Sequence, residues 1–157
     1  MREGDAIAIR TCRELEGNFF DYLAKQYRKP VLLSGPVLPE AAKGELEERH
    51  GGFGSMWESL LSDTQIVLVP YHGEQALNTR LLVEELKVAI EVQREENGWV
   101  SRENLSKAIK LAMDKGSQIS DTLKKNHAKW KEIFASPGLM YGYADRFIQN
   151  LQELLNK

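Results

Sequence analysis

The stretch "HGGFGSMWESLLSDTQIVLVPYHGEQ", residues His50–Gln75, decides the fold class of this chain. Glycines open it, and a short pattern from Ser55 to Leu61 predicts a helix. A bare apolar run, Gln65–Val69, follows and ends at Pro70, which predicts a buried strand. Because crossover helices cover the faces of parallel sheets, this order of helix and strand indicates part of a parallel α/β sheet.

The rest of the chain continues the alternation of strands and helices. The predicted strands are Asp5–Thr11, Val31–Leu33 and Val88–Val92, and the predicted helices are Arg13–Tyr27, Gln75–Leu86, Ser101–Met113, Gln118–Phe134 and Gly138–Leu155. Thr11 and Ser101 are candidate N-caps for the helices that follow them. The helix from Gln75 is expected to bury one leucine face, formed by Leu77, Leu81, Leu82 and Leu86. The pattern predicts an α/β fold with a partial Rossmann-like parallel sheet.

Composition narrows the function classes. The chain has 157 residues, the length of a single domain. Its net charge of −2 gives no general attraction to nucleic acid or to anionic membranes, and the lysines around Trp130 indicate a solvated helix face. One cysteine, Cys12, suits a reducing compartment. Without a recognisable signal peptide or transmembrane run, we expect a cytoplasmic protein.

A ligand position follows from the predicted sheet. Ligands of open α/β sheets bind beyond the carboxyl ends of the strands, and the loop after Val69 lies at such an end. The glycines open a helix whose free N–H groups and positive dipole end suit a phosphate. Spacing therefore suggests an anion at Gly52–Ser55 and a polyhydroxy group near Glu74 and Gln75. The alternative is a tight glycine turn that binds no ligand.

A resemblance to a known family favours the ligand site over the tight glycine turn. "HGGFGSMWESLLSDTQIVLVPYHGEQALNTRLL" resembles the second half of the signature box of plant family-1 UDP-glycosyltransferases. The positions that match are Gly52, Ser55, Glu58, Pro70, Glu74 and Gln75. Phe53 and Gly54 replace the usual Trp-Asn, a variant associated with the branch that glycosylates flavonoid or terpenoid glycosides. The stretches at 5–40, 95–105 and 124–155 resemble the same branch, so the resemblance covers nearly the whole chain.

The resemblance also implies an internal deletion and a truncated N-terminal start. The family is longer and has two Rossmann-like lobes, the GT-B arrangement. Residues 1–40 resemble the end of the N-terminal acceptor lobe and the linker, 41–50 a joint at the deletion, and 51–157 a partial C-terminal UDP-sugar-binding lobe with the C-terminal helices. The uracil-stacking Trp and the catalytic His and Asp lie in the missing parts. A sheet without its first strands should keep a bare edge, with Val67, Val69, Val88 and Ile90 poorly covered.

The resemblance assigns roles to the matching residues. His50, Ser55 and the backbone of Gly52, Phe53 and Gly54 would hold the diphosphate, Glu58 the ribose, and Glu74 with Gln75 the hydroxyls of the donor sugar. The family's reaction inverts the anomeric carbon and needs no metal and no cofactor beside the UDP-sugar donor. No catalytic residue is assigned in this chain. In the structural alternative, Ser55 caps its helix, Glu58 is a solvated first-turn acid and Glu74 is loop surface.

Other candidate residues receive structural interpretations. His72 and His127 match no family base and are expected to be surface or structural residues. Met56 and Trp57 are expected to pack against the missing lobe or a partner.

Two functions remain open. The first is transfer of a hexose from a UDP-sugar donor to a small-molecule acceptor, a plant secondary metabolite such as a flavonoid glycoside, by a chain whose activity is impaired. The second is a non-catalytic remnant that binds nucleotide sugars weakly or associates with an intact relative or with itself.

Overall fold

The structure is a computed structural model that describes residues 4–36, 53–71 and 73–156. The predicted joint at 41–50 lies outside the described residues, as do His50, Gly52 and His72. The elements are β1 (Ile7–Ile9), α1 (Arg13–Tyr27), β2 (Val31–Leu33), α2 (Phe53–Leu61), β3 (Ile66–Leu68), α3 (Gly73–Arg80), a π-helical turn (Leu81–Glu85), β4 (Ala89–Glu91), α4 (Arg102–Met113), α5 (Gln118–Ala135) and α6 (Pro137–Leu155).

The chain forms two compact units, and the expectation of one domain from its length is wrong. One unit combines Met1–Leu38 with Ser136–Lys157, and the other is Pro39–Ala135. Helix α6 therefore belongs with α1 and the start of the chain, whereas α2, α3, α4 and α5 belong with β3 and β4. The proposed origin of segments 1–40, 41–50 and 51–157 in different lobes stays a prediction.

Both units contain a parallel strand pair, as the alternating pattern predicts. In the first unit β1 pairs with β2, with Ile7 opposite Val31. In the second unit β3 pairs with β4, with Ile66 opposite Ala89. The described strands thus form two separate two-stranded parallel sheets.

Helix α1 is capped by a side chain that is distant in the sequence. The residue before it, Cys12, makes no side-chain cap, and the predicted cap Thr11 is buried instead. The phenol oxygen of Tyr143, on α6, accepts a hydrogen bond from the Arg13 N–H (2.8 Å) and donates one to Glu14 Oε2 (2.7 Å). The phenol satisfies one of the four N–H groups that a helix start leaves without an intrahelical partner.

Gly35 lets this tyrosine approach the backbone. Its φ is +87°, and a Cβ built there would lie 2.8 Å from the Cβ of Tyr143. Both the backbone angle and the contact therefore require glycine. Tyr143 thus links α6 to α1 and to the residues after β2.

The second unit is built around two aromatic rings. Trp57 on α2 and Phe134 on α5 are 1% and 0% exposed, and their ring centroids lie 4.7 Å apart at 86°. Trp130 stacks on Phe134, with ring centroids 5.5 Å apart. Met56 is also buried. The expectation that Met56 and Trp57 pack against a missing lobe or partner is wrong, because both are buried within this chain and Phe134 of α5 contacts Trp57.

His127 ends α2. Its ring Nε2 lies 3.1 Å from both the Ser59 and the Leu60 carbonyl oxygens, so this nitrogen carries the proton and donates to the last turn of the helix. The side chain is buried, which confirms the structural role expected for it. Lys131, one turn further along α5, donates to Asp63 just beyond α2.

The predicted helix Gln75–Leu86 is divided. It begins as α3 and continues as a π-helical turn, in which the Leu86 N–H donates to the Leu81 carbonyl five residues back. This wider turn rotates the following residues relative to α-helical spacing. Leu82 and Leu86 are buried, but Leu77 is 71% exposed, so the predicted four-leucine face is wrong at Leu77.

Four strand residues were predicted to be poorly covered, and their exposure agrees with that prediction only in part. Val67, Val69 and Ile90 are half-buried, whereas Val88 is buried and contradicts the expectation.

The predicted helix boundaries at Ser101 and Ser136 are confirmed. Ser101 Oγ accepts from the Asn104 N–H (3.2 Å), and α5 gives way to α6 at Ser136. Among the helices that the structure describes, none combines the length and apolarity that a membrane span requires.

The tyrosine cap predicts a stability loss in Tyr143→Phe. The variant keeps the ring but leaves the Arg13 N–H without its acceptor, which should lower the free energy of unfolding by about 1–3 kcal/mol. Urea unfolding followed by circular dichroism measures it. Tyr141→Phe is the matched control, because Tyr141 is 70% exposed on the same helix. Equal stability of the two variants would contradict the role of the cap.

The same cluster predicts alkaline destabilisation. Burial raises the pKa of Cys12 from 9.0 to about 12, and burial with the hydrogen bond to Glu14 raises the pKa of Tyr143 from 10.0 to about 12. The unfolded chain therefore loses these protons at lower pH than the folded chain. The stability they contribute is complete below pH 9 and declines towards pH 12. Urea midpoints across this range should fall, less steeply in Tyr143→Phe, and a constant midpoint would contradict the assignment.

Candidate functional site

A cleft of about 360 Å³ lies beside β3 in the second unit. It brings together Ser55, in the first turn of α2, and Gln75, in the first turn of α3. These two predicted site residues lie twenty positions apart in the sequence, on either side of β3. The lining residues are Ser55, Met56, Ser59, Thr64, Gln65, Ile66, Val67, Leu68, Val69, Pro70, Gln75, Asn78, Thr79 and Leu82.

The start of α2 supplies backbone donors. The helix begins at Phe53, two residues before the predicted start, so Gly54 and Ser55 lie inside its first turn. The N–H groups of a helix's first turn have no intrahelical acceptor and carry the positive end of the dipole. Ser55 is half-buried, and its carbonyl accepts from Ser59 Oγ at 2.8 Å. Helix starts in general suit an anion, so the phosphate role predicted for Gly54 and Ser55 stays a prediction.

Glu74 and Gln75 both lie in the first turn of α3, but only Gln75 lines the cleft. The Gln75 Oε1 atom accepts from the Tyr71 N–H at 2.7 Å and so shapes the loop after β3. Glu74 is exposed in the first turn and does not line the cleft. Glu58 is half-buried on α2 and is likewise outside the lining. Of the described side chains predicted to hold donor groups, the cleft therefore joins Ser55 and Gln75 but not Glu58 or Glu74.

Arg94 links the carboxyl ends of β3 and β4. The sequence analysis did not identify this residue. Its guanidinium donates to the Pro70 carbonyl after β3 and to the Gly98 carbonyl at 2.6 Å, and it lies over the ring of Tyr71 at 5.2 Å. An arginine two residues after the predicted strand Val88–Val92 is the signal that was available. Arg94 positions the carboxyl edge of the sheet, where ligands of such folds bind.

The electrostatics of the cleft are nearly neutral. None of its described lining residues carries a charge. Helix ends are therefore the source of positive potential identified there. Among the described residues, no three His, Cys, Asp or Glu side chains come together as metal ligands. A site of this kind can accept an anion through N–H groups and hydroxyls through amide and Ser side chains.

Comparisons with known proteins identify relatives in plants. No family model matches the chain. It is 37% identical to UDP-glycosyltransferase 79B3 of Arabidopsis thaliana over 252 residues, which cover 99% of this chain and 56% of the relative. It is 36% identical to the anthocyanidin 3-O-glucoside 2'''-O-xylosyltransferase of the same plant over 253 residues, covering 99% of this chain and 54% of the relative.

Solved structures show the same fold. The structure of Phytolacca americana UGT2 complexed with UDP-2-fluoro-glucose and pterostilbene matches 98% of this chain and 55% of its own, with a TM-score of 0.73 and 12% identity. The apo form of that protein matches equally well. The predicted fold class, a partial Rossmann-like α/β chain related to the two-lobed GT-B glycosyltransferases, is confirmed.

The chain spans about half the length of the curated relatives it matches. The matched span also contains more positions than this chain can fill. It runs over 252 residues, against about 155 of this chain (99% of 157), so it includes about 97 positions with no counterpart here. Because the similarity nevertheless extends over 99% of its residues, the chain belongs to the plant UDP-glycosyltransferase family.

Proposed function

We propose that this chain is a UDP-glycosyltransferase-family protein that retains the diphosphate and sugar end of a UDP-sugar site. The reaction of the intact site is transfer of a hexose from the UDP-sugar to a hydroxyl of a small plant secondary metabolite, such as a flavonoid glycoside. In this chain that transfer is impaired. The proposal rests on the cleft beside β3 that joins Ser55 with Gln75.

The first turns of α2 and α3 bind different parts of the UDP-sugar donor. The first turn of α2 offers N–H groups and the Ser55 side chain to a phosphate, with negative charge stabilised by the helix dipole. The first turn of α3 offers the Gln75 amide, which lines the cleft, and the exposed Glu74 carboxylate next to it in the sequence, which together can donate to and accept from sugar hydroxyls. Gly52 and His50 would extend the phosphate side. The binding free energy comes from hydrogen bonds, and no lysine or arginine lines the described part of the cleft.

Two observations support impairment. Transfer needs a base to remove a proton from the acceptor hydroxyl. Among the described residues the one histidine, His127, is buried and donates to two carbonyls of α2. In addition, about 97 positions of the relatives' matched span have no counterpart here. We place the deletion at 41–50, just before the glycines, where it removes the front half of the site.

The same observations favour one alternative. A chain that keeps half of a donor site without a base is suited to weak binding of nucleotide sugars or to association with another polypeptide. This alternative makes the protein a non-catalytic member of its family.

The chain alone is predicted not to transfer sugar. Incubation with UDP-glucose and a panel of flavonoid glycosides, followed by mass spectrometry, should give no product above a no-protein control, because the one described histidine is buried and hydrogen-bonded to two carbonyls of α2. Steady product formation that scales with protein concentration would contradict impairment.

Residual binding is predicted to depend on the diphosphate. UDP and inorganic pyrophosphate should bind with similar affinity in the millimolar range, a binding free energy of about −4 kcal/mol. Ser55→Ala should weaken both by about 0.5–1.5 kcal/mol, the net value of one ordinary hydrogen bond. Titration calorimetry measures the affinities. Ser106→Ala, on α4 and outside the cleft, is the matched control and should change neither.

The sugar side needs a separate variant. Glu74→Ala should weaken UDP-glucose but leave UDP unchanged, because the proposed partners of Glu74 are sugar hydroxyls. Micromolar, uracil-selective binding by the wild type would mean that the base pocket is built from residues outside this assignment, and the assigned site would be wrong.

A further inference from the structure

We propose that Arg94 is a positioning residue for the sugar end of the donor site. It fixes the peptide group between Pro70 and Tyr71 and, through that group, the side chain of Gln75. The inference rests on the proposed function, in which Gln75 contacts the donor sugar. Arg94 does not itself line the cleft that joins Ser55 with Gln75. Its effect on a ligand in that cleft therefore passes through other residues.

Arg94 makes three contacts on two loops. Its guanidinium donates to the Pro70 carbonyl, after β3, and to the Gly98 carbonyl at 2.6 Å. The guanidinium carbon lies 5.2 Å from the centre of the Tyr71 ring, within the range of a cation–π contact. Hydrogen bonds from a charged donor are about twice as strong as neutral ones, and the planar fork of a guanidinium holds two acceptors in a fixed geometry. Arg94 therefore sets the distance between the loop after β3 and the loop after β4.

The Pro70 carbonyl and the Tyr71 N–H belong to one peptide group. Arg94 donates to its oxygen, and Gln75 Oε1 accepts from its N–H at 2.7 Å. The described chain contains no cis peptide bond, and in a planar trans peptide the C=O and N–H point in opposite directions. One rigid plane thus joins Arg94 to Gln75. The charged donor on the carbonyl also polarises the group and strengthens the hydrogen bond that its N–H donates.

Arg94 is oriented by a loop that has its own hydrogen bonds. The Glu95 N–H donates to the Trp99 carbonyl, and the Gly98 N–H donates to the Glu95 carbonyl, both at 2.8 Å. The side chain of Asn104, on α4, donates to Glu95 Oε1 at 2.9 Å. The Gly98 carbonyl is therefore a fixed acceptor attached to α4. The guanidinium that binds it is in place before a ligand arrives, which lowers the cost of ordering the site on binding.

The contacts of Arg94 lead to the sugar end of the site and not to the phosphate end. Gln75 lies in the first turn of α3, whereas the phosphate is proposed to bind the first turn of α2. Helix α2 is fixed by the contact between Trp57 and Phe134, in which Arg94 takes no part. Loss of Arg94 should therefore weaken ligands that carry the donor sugar and leave UDP unchanged.

Titration calorimetry with UDP-glucose and UDP tests this selectivity. Arg94→Met keeps the apolar stem without the fork and should weaken UDP-glucose about threefold to tenfold, the net effect of one ordinary hydrogen bond. Arg94→Lys keeps the charge but cannot hold both carbonyls, and should lose a similar factor. Arg102→Met removes an exposed arginine of α4 outside the cleft, and should change neither affinity. Equal effects of Arg94→Met on UDP and UDP-glucose, or full affinity in Arg94→Lys, would overturn the inference.

A double-mutant cycle tests whether Arg94 acts through Gln75. Gln75→Ala should weaken UDP-glucose, and adding Arg94→Met should cause no further loss, because the side chain that Arg94 positions is gone. Additive losses would overturn the inference. A wild type that binds UDP-glucose no more tightly than UDP would refute the proposed sugar site, and the inference with it. That result is distinct from a wild type that prefers UDP-glucose and an Arg94 variant that keeps the preference.

Amide hydrogen exchange tests the same contacts without a ligand. The Tyr71 amide should exchange faster in Arg94→Met and in Gln75→Ala than in the wild type. The Val92 amide, which donates to the Leu68 carbonyl between β4 and β3 at 2.9 Å, should keep its rate. If Arg94→Met fails to fold, Arg94→Lys gives the same comparison. An unchanged Tyr71 rate, or an equal acceleration of the Tyr71 and Val92 amides, would overturn the positioning role.

Discussion

The contact between Trp57 and Phe134 is the constraint on which the second unit depends. Two nearly fully buried rings at 4.7 Å fix α2 against α5, and His127 on the same helix ends α2 by donating to its last carbonyls. Because α2 leads directly into β3, its orientation sets where its first turn meets the carboxyl end of that strand. The Ser55 side of the cleft is therefore held by packing at the far side of α2 and not by a ligand.

The sequence predicted the elements that local signals define. The bounds of α1 and β2 agree with the prediction residue for residue, and Ser101 caps α4 as its type and position indicate. Parallel pairing followed from the alternation of helices and apolar runs. For the site, the sequence located Ser55 and Gln75, which the structure brings to one cleft. The predictions of helices and strands succeed because spacing along one element carries the information, whereas the binding roles of Ser55 and Gln75 stay predictions.

The remaining errors concern contacts between distant residues. Thr11 has a capping side chain, but α1 is capped by Tyr143, which no local pattern indicates. From the sequence, Trp57 was predicted to contact another lobe, because no local pattern indicates that α5 packs against it. Leu77 does not share the buried face of Leu82 and Leu86, because a π-helical turn separates it from them. The hydrophobic spacing does not indicate the hydrogen bonding of that turn. The role of Arg94 likewise needs the positions of two loops.

Titration of the isotope-labelled chain with inorganic pyrophosphate, followed by amide NMR, tests the central claim most directly. That claim is that the helix starts beside β3 form what remains of a UDP-sugar site. The account predicts that the largest shifts fall on Gly54 and Ser55 in α2, with smaller ones at the start of α3. Shifts confined to the basic surface of α4 at Arg102, Lys107 and Lys110 would contradict it, as would the absence of any shift.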